Sequence, residues 1–203
     1  LNYMTQFRLS SIWLYFIFLA FNMTIVMKTF SQRKPIFSQL PSLPGGEGWA
    51  GMFAGVSNGY LFCMGGANFP DKKPWEGGTK KWHDDIYMLG EDKEWVKLIE
   101  KLPQPLAYGV SVSYKDEIIT IGGSDENRHH AAVTGFSWNG RLLQIRDYPP
   151  LPVSLANMAG TVIDDLIIIA GGNQSPSSKG ENICYGLDLK NPGQGWITLP
   201  AWP

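Results

Sequence analysis

The chain has 203 residues, 44% hydrophobic and 17% charged, with 23 Gly, 14 Pro and 8 Trp; this excludes a disordered polyelectrolyte or a coiled coil and predicts a packed core. Seventeen Lys and Arg face eighteen Asp and Glu, for a net charge of -1. That lacks the positive field with which nucleic-acid binders neutralise phosphates, so no nucleic-acid partner is expected.

Between Arg8 and Lys28 the chain carries no charge and holds an apolar run over 12–21. One basic residue precedes the run, and Lys28, Ser31, Gln32, Arg33 and Lys34 follow it. Residues 1–31 therefore read as a secretory signal that sends the protein out of the cytoplasm, to the periplasm of a bacterial host. The alternative is a membrane anchor, since the run approaches the roughly 20 residues that span a bilayer. The first residue is Leu, and a start at Met27 would remove the leader. Residues 32–44 read as a linker, and 45–203 as the folded part.

From residue 45 onward one order of features recurs with a period of about fifty residues: apolar strand, tight turn, apolar strand, Gly-Gly. The first copy predicts strands over 52–57 and 60–64 around Asn58-Gly59, a strong hairpin signal, ahead of Gly65 and Gly66. The second predicts strands over 108–113 and 117–121, then Gly122 and Gly123; the third, strands over 158–163 and 166–170, then Gly171 and Gly172. A polar loop and two further strands follow each doublet, over 85–89 and 94–98, 133–138 and 141–145, and 182–189 and 195–199. Leu-Pro or Pro-Pro closes each unit at 102–103, 149–152 and 199–200, where Pro withholds a ladder donor. Units therefore run over about 45–103, 104–152 and 153–203. Four antiparallel strands per fifty residues predict an all-β fold of kelch-type propeller blades, three in number. Tyr87, Trp95, Phe136, Tyr185 and Trp196 are expected between blades. Cys63 and Cys184 fall in apolar strands and read as free thiols.

Two stretches carry a family resemblance. One runs from Gly51 through Phe53, Ala54, Gly55, Val56 and Ser57 to Gly65 and Gly66, with a polar insertion ending in Lys80, Lys81, Trp82, His83, Asp84, Asp85 and Ile86. The other is Ala107, Tyr108, Gly109, Val110 and Ser111, leading to Gly122 and Gly123. They resemble the kelch-repeat N-acetylneuraminate epimerases, or sialic acid mutarotases, in a cyclically permuted order. The resemblance implies a six-blade ring, an acidic sugar as ligand, and an isomerase that opens and recloses the sugar ring by acid/base catalysis with no cofactor and no metal. Three blades are half of such a ring. Truncation is the first explanation expected; a second chain, or a second copy forming a homodimer, would also complete it.

The candidate catalytic residues, Glu126, Arg128 and His129, lie in the loop after the second doublet. There a carboxylate or His can move the anomeric proton and an Arg can hold a carboxylate. The family's own carboxylate and arginine pair belongs, by register, to another blade. The insertion after the first doublet is longer than a blade turn needs, and its Asn68, Lys73, Trp75, Lys81, Trp82 and His83 are the candidate substrate-binding residues. A non-catalytic kelch module binding glycan or protein is the rival reading. Gly46, Gly48 and Gly51 match G-x-G-x-x-G by chance, since a strand and not a helix follows. His129 and His130 are adjacent and would point to opposite sides of a strand, and His83 is the only other His, so a metal centre is not expected; Asn173, Gln174 and Ser175 spell a glycosylation acceptor relevant only in a eukaryotic secretory host.

Overall fold

The computed structural model describes residues 37–201; the expected leader over 1–31 and the start of the linker lie outside the described residues. The first repeat forms β1 (Phe53–Ser57), β2 (Tyr60–Met64), the short β3 (Ala67–Asn68) and β4 (Lys81–Trp82), then β5 (Asp85–Leu89) and β6 (Trp95–Lys101). The second forms β7 (Val110–Tyr114), β8 (Glu117–Ile121), β9 (Val133–Trp138) and β10 (Leu143–Tyr148). The third forms β11 (Ala156–Ile163), β12 (Leu166–Asn173), β13 (Cys184–Asp188) and β14 (Ile197–Thr198). Each repeat makes one four-stranded antiparallel sheet, ordered β1-β2-β5-β6, β7-β8-β9-β10 and β11-β12-β13-β14, while β3 pairs with β4 alone.

Two-residue turns join the first two strands of every sheet. Asn58 and Gly59 both take positive φ, as the hairpin signal requires, and Lys115 and Asp164 do so at the first turn position of the other repeats. The doublets are equally regular, with all six glycines at φ between 57° and 107°. A Cβ on Gly65 would sit 2.3 Å from the Leu106 carbonyl oxygen, and one on Gly122 2.5 Å from that of Leu155. The space is needed because Gly66 N donates to Leu106 O and Gly123 N to Leu155 O. The first and second doublets thus fasten their own sheets to the opening residues of the next repeat.

The sheets lie side by side through their innermost strands, β7 touching β1 on one side and β11 on the other. Two cores result. Phe53, Phe62, Met64, Ile86, Ile118 and Phe136 fill the space between the first and second sheets. Val110, Val112, Ile119, Ile121, Ile167, Ile169, Tyr185 and Leu187 fill that between the second and third.

Phe136 and Tyr185 take the expected places between sheets, and Trp196 packs on the second core with its indole donating to Pro149 O. Tyr87 and Trp95 differ. They point to the outer side of the first sheet, away from Ile86, because successive strand residues alternate. The segment over 41–49 crosses that side: Trp95 Nε1 donates to Pro41 O at 2.9 Å, and the Trp49 ring lies 6.1 Å from that of Tyr87. The outer side of the third sheet, carrying Ile163, Ile168, Ala170 and Cys184, leaves Ile163 57% exposed. Cys63 and Cys184 are free and half-buried, and burial pushes the Cys63 thiol up. Among the described residues no helix is long and apolar enough to cross a membrane.

Candidate functional site

One position in each repeat, just after an alanine and at or just before the start of the innermost strand, takes the left-handed conformation: Gly51 at φ 63°, Tyr108 at 62° and Asn157 at 60°. Their backbones are chained across the sheets, with Tyr108 N donating to Gly51 O and Asn157 N to Tyr108 O. Gly and Asn accept this conformation readily, whereas a bulky side chain there costs about 1–2 kcal/mol. Tyr108 bears that strain, and its ring packs where a Gly51 Cβ would be, its Cδ1 only 2.6 Å from that point.

Above this chain of residues the insertion of the first repeat meets the loops that follow the second and third doublets. Lys80 Nζ stands 4.2 Å from the centre of the Tyr108 ring and 4.9 Å from that of Trp82. A cation on two aromatic faces is held by about 0.5–2 kcal/mol per face. Three adjoining clefts, of about 370, 500 and 280 Å³, open around it, and Lys80 lines all three. Glu126, His129, Ser124, Asn157 and Asn173 join Lys80, Trp82 and Tyr108 in the smallest.

Of the predicted catalytic residues, Glu126 and His129 reach this cleft. His129 is buried, and its Nδ1 contacts Asn173 O at 2.9 Å. A carbonyl accepts only from N–H, so Nδ1 holds its proton and Nε2 is the ring nitrogen without a hydrogen bond among the described residues. Glu126 is exposed at the rim. Arg128 is also exposed, on the loop side that lines none of these clefts. The loop is fixed by Asp125, which accepts from Asn127 N and Arg128 N through Oδ1 and lies 2.7 Å from His130 Nε2 through Oδ2. Burial opposes the Asp125 charge, but the two amides and His130 outweigh it and hold the carboxyl below its usual range. Gln104 closes this arrangement at His130 Nδ1, 3.0 Å away.

The predicted binding residues divide between the clefts. Asn68, Lys73 and Trp75 line the 370 Å³ cleft, where Lys73 pairs with Glu47 and Trp75 is 81% exposed. Lys81 and Trp82 line the 500 Å³ cleft. His83 lines none: its Nε2 contacts Asn68 Oδ1 at 2.9 Å and its ring meets Trp49 edge-on at 4.4 Å. Burial first, and then the charge of Lys81, pulls the His83 pKa below its ordinary value.

Sequence reasoning missed Lys80, Tyr108, Asn157 and Asn173 as site residues. The available signal was the register of the repeats, which stacks Ala50-Gly51, Ala107-Tyr108 and Ala156-Asn157 and marks a common backbone requirement.

A larger cleft, of about 550 Å³, lies at the opposite end of β8. There Glu117 accepts from Arg146 Nε at 2.6 Å and from the Tyr148 hydroxyl at 2.7 Å. Burial, and then the Glu117 bond, pushes the Tyr148 hydroxyl pKa well up. These charges are satisfied by one another and form a brace.

Three four-stranded sheets set side by side by their innermost strands, with doublets and clefts at one end, define blades of a kelch-type β-propeller. The solved structure of YjhT superposes with a TM-score of 0.67 over 84% of this chain and 57% of its own, at 14% identity, a likeness of fold. Residues 24–145 match the family model of N-acetylneuraminate epimerases, and the chain belongs to that family. It is similar to the N-acetylneuraminate epimerase of Salmonella enteritidis PT4, 44% identical over an alignment of 120 positions that covers 52% of this chain and 31% of that relative. For the protein of the same name from Yersinia enterocolitica serotype O:8 the identity is 42% over 111 residues, covering 49% and 27%. The matched stretch thus covers less than a third of the length of these curated relatives.

Proposed function

We propose that this chain carries a substrate cleft of a sialic acid mutarotase, interconverting the anomers of N-acetylneuraminate by opening and reclosing the sugar ring. The observation that carries the reading is the meeting of Glu126 and His129 in one cleft of a chain of this family. On opening, the Glu126 carboxylate takes the anomeric hydroxyl proton while His129 Nε2 gives a proton to the ring oxygen as the carbon–oxygen bond breaks. The exposed ketone turns, and the reverse transfers close the ring on its other face. Nδ1 of His129 stays bonded to Asn173 O throughout, so only Nε2 changes protonation. Mutarotation already proceeds in water, and positioned acid/base groups supply about 10²–10⁴-fold, enough without further chemistry.

Export is part of the reading, on the uncharged run ahead of Lys28, and cleavage before residue 32 in N-terminal sequencing of secreted protein would check it. So is completion of a six-blade ring by further sequence, a second chain or a second copy; mass in solution distinguishes a homodimer. Proton NMR of anomer exchange tests the activity. The chain should accelerate conversion of α to β anomer, with Glu126→Gln and His129→Asn each losing most of that acceleration. A rate equal to the uncatalysed one with shifted ligand signals would replace the enzyme by a binding module.

A further inference from the structure

We propose that Lys80 is the cation that clamps the carboxylate of the acidic sugar, held for that contact by Trp82 and Tyr108. The inference rests on the sialic acid reading of the cleft and adds where the sugar's charge sits. Lys80 takes part in none of the ion pairs among the described residues, whereas Lys73, Lys97, Lys101 and Lys190 each do. Its ammonium is instead shared between two aromatic rings. Such faces shed water from a cation without neutralising it, so a carboxylate arriving from the cleft meets a charge already partly desolvated and fixed in place.

The platform under Lys80 is unusual in the backbone as well. Tyr108 is kept in the left-handed conformation, and Gly51 leaves room for its ring. One donor beside the same cation also lacks a partner among the described residues: the Trp82 Nε1 is buried and unsatisfied.

The substrate's chemistry ties this contact to the reaction. In a 2-keto sugar acid the carboxylate is attached to the anomeric carbon itself. Fixing it at Lys80 holds the anomeric oxygen in the cleft that Glu126 and His129 also line, which is the positioning that acid/base transfer requires.

Titrating N-acetylneuraminate and its uncharged methyl ester into the full chain, and into Lys80→Met and Lys80→Arg, tests the assignment. Wild type should prefer the acid by about tenfold, the effect of one charge-assisted contact. Lys80→Met should bind acid and ester alike, and Lys80→Arg should regain part of the preference, with circular dichroism unchanged in both. If Lys80→Met keeps the preference while wild type binds the acid, the Lys80 assignment falls and the sialic acid reading stands. If wild type binds neither sugar, both fall together.

Discussion

The two interfaces between sheets are built from equivalent strands and yet hold together by different means. At the first, β7 ties down the free edge of β1: Ser111 Oγ accepts from Ala54 N and donates to Ala54 O, and Ser113 Oγ accepts from Val56 N. Ser57 Oγ donates in turn to Asp116 O and accepts from Trp138 N. At the second, the positions equivalent to Ser111 and Ser113 are Gly160 and Val162, and β11 sends no such bond to β7. Aliphatic packing takes over, with a Tyr114–Asp165–Lys190 contact at the rim. An innermost strand has an unpaired edge that must be satisfied or covered, and the chain does the first on one side and the second on the other.

Truncating the aromatic core should break the first interface most severely. Phe62 is fully buried, and Phe62→Ala should cost about 3–5 kcal/mol in denaturant unfolding, by lost transfer and an unfilled cavity. Next comes Gly55→Ala, whose Cβ would lie 2.8 Å from Ile118 Cγ2 and 2.9 Å from Ser113 Oγ. Ile118 is fully buried and β-branched, so overpacking of about 1–3 kcal/mol is expected. Ser111→Ala should cost about 1 kcal/mol for the hydrogen bonds it removes. Gly160→Ser, the converse exchange, should destabilise and not install the missing tie, since a Cβ there would stand 2.7 Å from Val110 Cγ1. A stabilised Gly160→Ser protein would show that the two interfaces are interchangeable after all.

The sheets were legible because period-two apolar runs, an Asn-Gly turn and glycine doublets are local signals. Tyr60–Met64, Asp85–Leu89, Glu117–Ile121 and Val133–Trp138 match their expected bounds, while the ends of the other strands shifted by one to three residues. The serine ties were not legible, because Ser111 and Ser113 read as ordinary strand residues until the neighbouring edge is seen. The site was half legible. Glu126 and His129 stood out as titratable groups in a loop after a doublet, but the sequence pointed to Lys81 as a binding residue and passed over Lys80 beside it. What separates the two is the Tyr108 ring, brought over by a left-handed backbone 28 positions further along.

The smallest effect expected contrasts the first and second repeats through pH. The first repeat's insertion leans on His83, placed between Asn68 and Trp49, and the second repeat's loop leans on the ionised Asp125. Both pKa values are depressed, so in each case the unfolded chain binds more protons as pH falls and stability is lost on acidification. The windows differ. The His83 contribution is complete above its ordinary 6.5 and declines as pH drops from there through its lowered folded value. That of Asp125 persists until pH falls below the ordinary 3.8 and through its own lowered value. As pH falls below 6.5, therefore, the Trp49 indole signal should shift with protonation of His83 before the amides of Asn127 and Arg128 respond to protonation of Asp125. His83→Gln should remove the Trp49 shift and leave the second loop untouched. Movement of the Asn127 and Arg128 amides above pH 5 would show that the second loop responds through a group other than the Asp125 carboxylate, its imidazole partner His130 being the nearest, and would remove the contrast drawn from Asp125.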